Sequence, residues 1–164
     1  MVLLNFLFYA SPIGAIRVEY TQQGISSLRF VEHMGENHSD NPELEQLILT
    51  DLHGYFTQKN YVWKCAVAPH LGTEFQEKVW SSLHDIPAGE AWTYRDIAHK
   101  IGQSKAAQAV GNANGQNPVL LRIPCHRVIG SNGAMVGYAG ELWRKEWLLN
   151  HEGYAGLNQQ MSLF

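Results

Sequence analysis

The stretch Thr93-Tyr94-Arg95-Asp96-Ile97-Ala98-His99-Lys100-Ile101-Gly102-Gln103-Ser104-Lys105-Ala106-Ala107-Gln108-Ala109-Val110-Gly111-Asn112-Ala113 decides the fold. Thr93 with Asp96 three residues on has the form of an N-terminal cap, so a short helix runs to Ile101. Gly102 ends it at a position that tolerates positive φ. Ser104 reads as the cap of a second helix, Lys105 to about Ala113. Two short helices joined by Gly102-Gln103-Ser104 have the proportions of a helix-turn-helix. The second helix is rich in small residues, and small side chains let a helix backbone approach a large partner closely. Close helix packing inside the domain accounts for the same spacing equally well.

Upstream, Thr73 and Gln76 form a capping box, followed by Phe75, Val79, Leu83 and Ile86 as a buried stripe. Pro69 to Gly72 reads as a linker. Before it, Leu3 to Tyr9, Ala15 to Tyr20 and Ile25 to Val31 are apolar or β-branched runs separated by turn residues, a β-meander. Asn41 and Pro42 open a helix carrying Leu44, Leu47, Ile48, Leu52, Tyr55 and Phe56 at helical spacing, and Tyr61 to Ala68 is a further extended run. Downstream, Val119 to Ile123 reads as a buried strand. Val128 to Tyr138 resembles a hairpin turning at Ser131-Asn132-Gly133, and a last helix spans Leu142 to Leu149. The expectation is an α/β chain of two domains, with a small meander-plus-helix domain over 1–70. A mostly helical, winged-helix-like domain with the helix-turn-helix then spans 71–164.

The 164 residues, 45% hydrophobic and 16% charged, can support a real core and argue against disorder or a coiled coil. The first basic residue is Arg17, so the apolar start lacks a signal peptide's charged region, and no apolar run approaches membrane-spanning length. A cytoplasmic protein without a membrane partner is expected. Two cysteines, Cys65 and Cys125, are too few for a disulfide framework or a four-thiolate zinc site, and the histidines show no metal-ligand spacing. The net charge of -3 resides in residues 1 to 71, where four basic residues face seven acids. No acid lies between Asp96 and Glu141, while Lys100, Lys105, Arg122 and Arg127 do. That cationic stripe suits a phosphate backbone; a solvated face is the plainer alternative.

Pro124-Cys125-His126-Arg127-Val128 puts a thiol, an imidazole and a guanidinium together after the strand-like run. A free cysteine is only a few per cent thiolate at pH 7, so a nucleophilic Cys125 needs a base or a positive field, and His126 or Arg127 supplies either. In extended structure adjacent side chains point to opposite faces, so a water is needed to bridge Cys125 and His126. A buried, inert thiol is the alternative for Cys125 and the expected state of Cys65.

Asn117-Pro118-Val119, Ile123-Pro124-Cys125-His126-Arg127-Val128-Ile129-Gly130, Gly137-Tyr138-Ala139-Gly140, and Arg144-Lys145-Glu146-Trp147-Leu148-Leu149 with His151-Glu152-Gly153 resemble the O6-alkylguanine-DNA alkyltransferase family over residues 73 to 154. The resemblance implies DNA repair by a monomer that flips an O6-alkylated guanine from double-stranded DNA through the minor groove. It then takes the alkyl group irreversibly, without metal or organic cofactor. It implies Cys125 as acceptor, His126 as its base through a water, Glu152 orienting the imidazole and Asn117 bracing the active-site turn. Tyr94 would donate to the flipped base. Val128, Tyr138, Ala139 and Gly140 would line its pocket, and Lys145 would aid the leaving group. Gln108, Ala109 and Gly111 on the recognition helix would meet DNA beside the four cations. A ribonuclease-H-like N-terminal domain is implied as well. Two departures stand out: Gln108 replaces the usual arginine, and Glu141 stands where a second glycine is common. Rival readings are an alkyltransferase-like lesion binder, whose motif lacks the cysteine, and a Cys-His hydrolase.

Overall fold

The structure, a computed structural model, describes residues 4–157. Leu3, the expected start of the first strand, and the end of the expected second domain lie outside them. The chain divides into two compact units. One runs to Leu71 and also takes Pro118–Arg122; the other holds Gly72–Asn117 and the chain from Ile123 on. The short return of Pro118–Arg122 to the first unit departs from an unbroken second domain.

In the first unit β1 (Asn5–Ser11), β2 (Gly14–Thr21) and β3 (Gly24–Val31) form an antiparallel meander in the order β1-β2-β3. Alternation along β1 and β2 sends Leu7, Ile16 and Val18 inward. Helix α1 (Pro42–Thr57) starts as the sequence dictates, with Asn41 Oδ1 accepting from Leu44 N at 3.1 Å and Pro42 in the first turn. Its Ile48 and Leu52 are fully buried, and Phe56 stacks on Tyr9 at 6.0 Å.

The extended run expected at Tyr61 to Ala68 is irregular, with one isolated bridge, Ile25 to Val67. Buried Asp51 is the reason. Its carboxylate accepts from Lys64 N at 3.0 Å, Cys65 N at 2.8 Å and the Tyr61 hydroxyl at 2.6 Å, taking amides that a ladder would use. That hydrogen bond, with burial, pushes the Tyr61 pKa up to about 12. The strand expected over Val119 to Ile123 is likewise replaced by one bridge, Leu28 to Val119, and turns, with Leu121 at φ +70°. Burial of Val119, Leu120, Leu121 and Ile123 explains why the run reads as a strand.

The second unit begins with α2 (Glu74–Leu83), whose capping box pairs Gln76 N with Thr73 Oγ1 at 3.1 Å and Thr73 N with Gln76 Oε1 at 2.9 Å. Strand β4 (Trp92–Thr93) leads into α3 (Tyr94–Lys100), capped the same way by Thr93 and Asp96. Gly102 takes φ +76° after it. Helix α4 (Ala107–Gly115) follows and packs on both α2 and α3, with Trp80 Nε1 donating to Ala113 O at 2.8 Å. Ser104 is not its cap: the backbone turns once more, Ala106 N to Gln103 O, and α4 starts after Ala106 without a side-chain cap.

A 3-10 turn (Cys125–Arg127) then enters β5 (Val128–Ile129), which pairs with β4 in parallel. The expected hairpin keeps its turn, with Gly133 at φ +78° and Gly130 N bonded to Ala134 O, but residues 134–138 form no return strand. The carbonyls of Val136 and Gly137 instead accept from the Lys145 ammonium of α5 (Leu142–His151).

Candidate active site

The 3-10 turn sets the geometry at Cys125, because it replaces the extended backbone that would send neighbouring side chains to opposite faces. Two asparagines hold it. Asn117 Nδ2 donates to Ile123 O at 2.8 Å and Asn114 Nδ2 to Cys125 O at 3.3 Å, so both come from the end of α4 or just beyond. Asn114 is a residue the sequence reading missed. It lies on α4 while Asn117 lies beyond the helix end, so no helical spacing marks the pair.

Cys125 is 3% exposed, and burial pushes its pKa up to about 11 while the Asn117 side chain and the Lys145 cation act the other way. At neutral pH it is a thiol. His126 is fully buried and its Nε2 sits 2.8 Å from Glu152 Oε2, while Nδ1 is buried without a hydrogen-bond partner among the described residues. Glu152 also accepts from Arg127, Oε1 from Nε at 2.8 Å and Oε2 from Nη2 at 3.0 Å. Burial alone raises the Glu152 pKa, but His126 and Arg127 override it and hold the carboxyl well below the usual range.

Lys145 is fully buried. Its Nζ donates to Val128 O at 2.6 Å, Val136 O at 2.7 Å and Gly137 O at 3.2 Å. An ammonium has three donors, so all are committed. Burial lowers its pKa to about 8, against the Cys125 thiolate, which raises it. Two of these bonds hold the loop at Val136 and Gly137. The buried Tyr138 hydroxyl has no hydrogen-bond partner among the described residues, and burial with the nearby Cys125 and Glu152 charges raises its pKa well above the usual value, Arg144 opposing. Burial and the Cys125 charge raise Tyr94 too. Tyr94 lies between Gly111 and Gly137, where an added Cβ on either glycine meets its ring or hydroxyl at 3.8 Å. Gly140 is buried beside exposed Ala139.

Cys125, His126, Glu152, Asn117, Tyr94, Val128, Tyr138 and Lys145 therefore share one region of the second unit. Lys100 and Lys105 are exposed, Lys100 within 3.5 Å of Asp85, and Gln108 and Ala109 are exposed on α4. Arg127 is committed to Glu152 and to Ile86 O at 2.7 Å, and Arg122 Nε donates to Cys65 O at 2.9 Å in the first unit. Arg127 spends all three guanidinium nitrogens on internal acceptors, whereas Arg122 spends Nε. Among the described residues no group of three or more His, Cys, Asp or Glu is placed to hold a metal, and no helix is long and apolar enough to cross a membrane.

Residues 74–154 match the DNA-binding domain of the 6-O-methylguanine DNA methyltransferase family. A methylated-DNA-protein-cysteine methyltransferase of Methanosarcina acetivorans is 39% identical over 92% of this chain and 99% of its own length. The protein of that name from Shigella flexneri is 57% identical over about half of each chain, 51% of this one and 48% of its own. The crystal structure of the Mycobacterium tuberculosis O6-methylguanine methyltransferase covers 92% of this chain and 93% of that one, with TM-score 0.77 and 33% identity. The Mycobacterium tuberculosis protein in complex with DNA covers 93% and 96%, with TM-score 0.77 and 35% identity. A likeness sustained over nearly the whole of both the archaeal and the mycobacterial chains has one consequence: this chain belongs to the methylated-DNA-protein-cysteine methyltransferase family.

Proposed function

We propose that this protein repairs DNA by moving the alkyl group of O6-alkylguanine onto Sγ of Cys125, once per molecule. The observation that carries the reading is the His126 imidazole, tied through Nε2 to Glu152 and left with an unpartnered Nδ1 in the same buried turn as the thiol. A carboxylate on Nε2 fixes the hydrogen there and leaves the lone pair on Nδ1. His126 then takes the Cys125 proton, through one water, and Glu152 stabilises the imidazolium. The thiolate attacks the sp³ carbon attached to O6, a C–S bond forms, the C–O bond breaks, and its electron pair leaves with guanine. Tyr94 donates a hydrogen bond to the leaving anion, and the proton that His126 took from the thiol balances its charge. A soft nucleophile and an aromatic leaving group balance this step without a cofactor, and the thioether does not revert.

The partner is double-stranded DNA carrying an alkylated guanine, bound by one protein molecule from the minor groove. Exposed Ala109 and small Gly111 let α4 approach closely, and Gln108 offers its amide to the base left without a partner. Flipping costs a few kcal/mol of unstacking that these contacts must offset. The meander with α1 supports a ribonuclease-H-like first unit. The helix-turn-helix supports a winged-helix relation for the second, with the loop after β5 in place of a paired wing. To test the reading, Cys125→Ala protein is titrated with methylated and plain duplex. Retained preference for the lesion with no transfer supports it, and transfer by Cys125→Ala overturns it.

A further inference from the structure

Glu141 takes φ +77° and ψ 146°, a backbone region that residues with a Cβ rarely enter and that persists only when surrounding contacts over-determine it. Those contacts are on its side chain. The carboxylate accepts from Trp143 Nε1 at 2.7 Å and lies 3.8 Å from Arg144 Nη1. The Arg144 guanidinium in turn lies 4.6 Å over the Trp143 ring, and Nη1 donates to Gly140 O at 3.1 Å. Arg144 is the inner member, its side chain 16% exposed against 67% for Glu141.

The place of that last hydrogen bond matters. The helical ladder of α5 begins at Glu141 O, which accepts from the amides of Arg144 and Lys145. Gly140 O lies one residue ahead of the ladder and is met by a side chain. Lys145 holds the other end of the same loop, at Val136 O and Gly137 O. Consecutive cations of one helix thus grip both ends of the segment carrying Tyr138, Ala139 and Gly140. The Arg144 charge also opposes the rise in the Tyr138 pKa.

We propose that Arg144 is a positioning residue for the loop that covers the alkylated base, fixing it through Gly140 O, and that Glu141 and Trp143 set the pose of its guanidinium. This rests on the reading of Cys125 as alkyl acceptor and of residues 138–140 as the loop over the base. The planar guanidinium suits the task because it stacks on the indole face while its edge donates to the carbonyl and faces the carboxylate. A lysine has no planar group to stack on the indole while donating from its edge. Glu141 accepts a strained backbone because its carboxylate is aimed at both partners from there.

The test uses the full chain in Arg144→Ala, Arg144→Lys and Glu141→Gly forms, with two readouts. The first is amide hydrogen exchange over residues 136–141, which needs no chemistry. The second is the concentration dependence of Cys125 labelling by O6-benzylguanine. For Arg144→Ala, loop exchange should quicken and the half-saturating concentration rise about tenfold, the scale of one charge-assisted hydrogen bond, with a smaller change in maximal rate. Arg144→Lys should fall between. Glu141→Gly should also raise the half-saturating concentration, by a few-fold, while its melting temperature rises as the backbone strain is relieved. Loop exchange in Arg144→Ala equal to that of the parent overturns the proposal, as does a loss seen only as a smaller labelled fraction. If the parent takes no label, the reading of function fails, and hydrogen exchange still decides whether Arg144 holds the loop.

Discussion

Cys125 keeps its proton at neutral pH because burial pushes its pKa up to about 11, so its reactivity depends on how well His126 removes that proton. Glu152→Gln keeps the shape of the site but gives His126 and Arg127 a neutral partner. The expected outcome is a transfer rate about 100-fold lower in single-turnover kinetics. Stability should fall by about 3 kcal/mol in denaturant titration, because the mostly buried Arg127 guanidinium loses its counter-charge. The same residue sets an acid limit. Its folded-state pKa lies below the value of 4.5 it has when free, so its stabilising contribution is complete above that pH and is lost as pH falls below it. Melting temperatures should therefore drop below about pH 4.5 in the parent and much less steeply in Glu152→Gln. The sequence motif brought Cys125, His126 and Glu152 together, but not the state of the thiol. An adjacent Arg127 suggested a cationic field, whereas the guanidinium is spent on Glu152 and Ile86 O. Side-chain pairing across 25 residues is invisible to local spacing.

Helix starts were legible wherever a side chain makes the cap: Asn41, Thr73 and Thr93 all do, within three residues of their partners. Ser104 failed because α4 begins two residues further on, after a backbone turn that needs no side-chain cap. Short strands failed for a different reason: burial of Val119 to Ile123 leaves the same pattern whether the backbone extends or turns, and β5 chose β4 over a hairpin partner. On α4 itself, Gln108 is exposed and offers a neutral amide where an arginine is usual. An arginine stacks in the vacated position and carries a charge, so Gln108→Arg should speed repair of methylated duplex several-fold and leave reaction with free O6-benzylguanine unchanged. Rapid-quench assays on both substrates read this directly. An equal gain on the free base places Gln108 in the thiol chemistry and removes it from the flip.

For the whole molecule, the net charge of -3 coexists with exposed Lys100 and Lys105 on the second unit, while Arg127 is spent on Glu152 and Ile86 O. Neutralising both lysines should weaken binding to lesion and plain duplex alike. It should also flatten the salt dependence by about one unit of log-log slope for each phosphate left without its cation, measured by fluorescence anisotropy. Arg122→Gln should instead show its effect in thermal melting, since it removes a donor to Cys65 O. The chain divides at Gly72, within the proline- and glycine-containing stretch before Thr73, whereas the return of Pro118–Arg122 to the first unit was not legible, because a single bridge to Leu28 leaves no periodic trace. The claim that joins these scales is that one buried thiol accepts one alkyl group. Peptide-mapped mass spectrometry after incubation with excess O6-methylguanine duplex should find one methyl group per protein, on Cys125 and not on Cys65, with demethylated DNA stopping at one equivalent. Methyl on Cys65, or repair continuing past one equivalent, would contradict it.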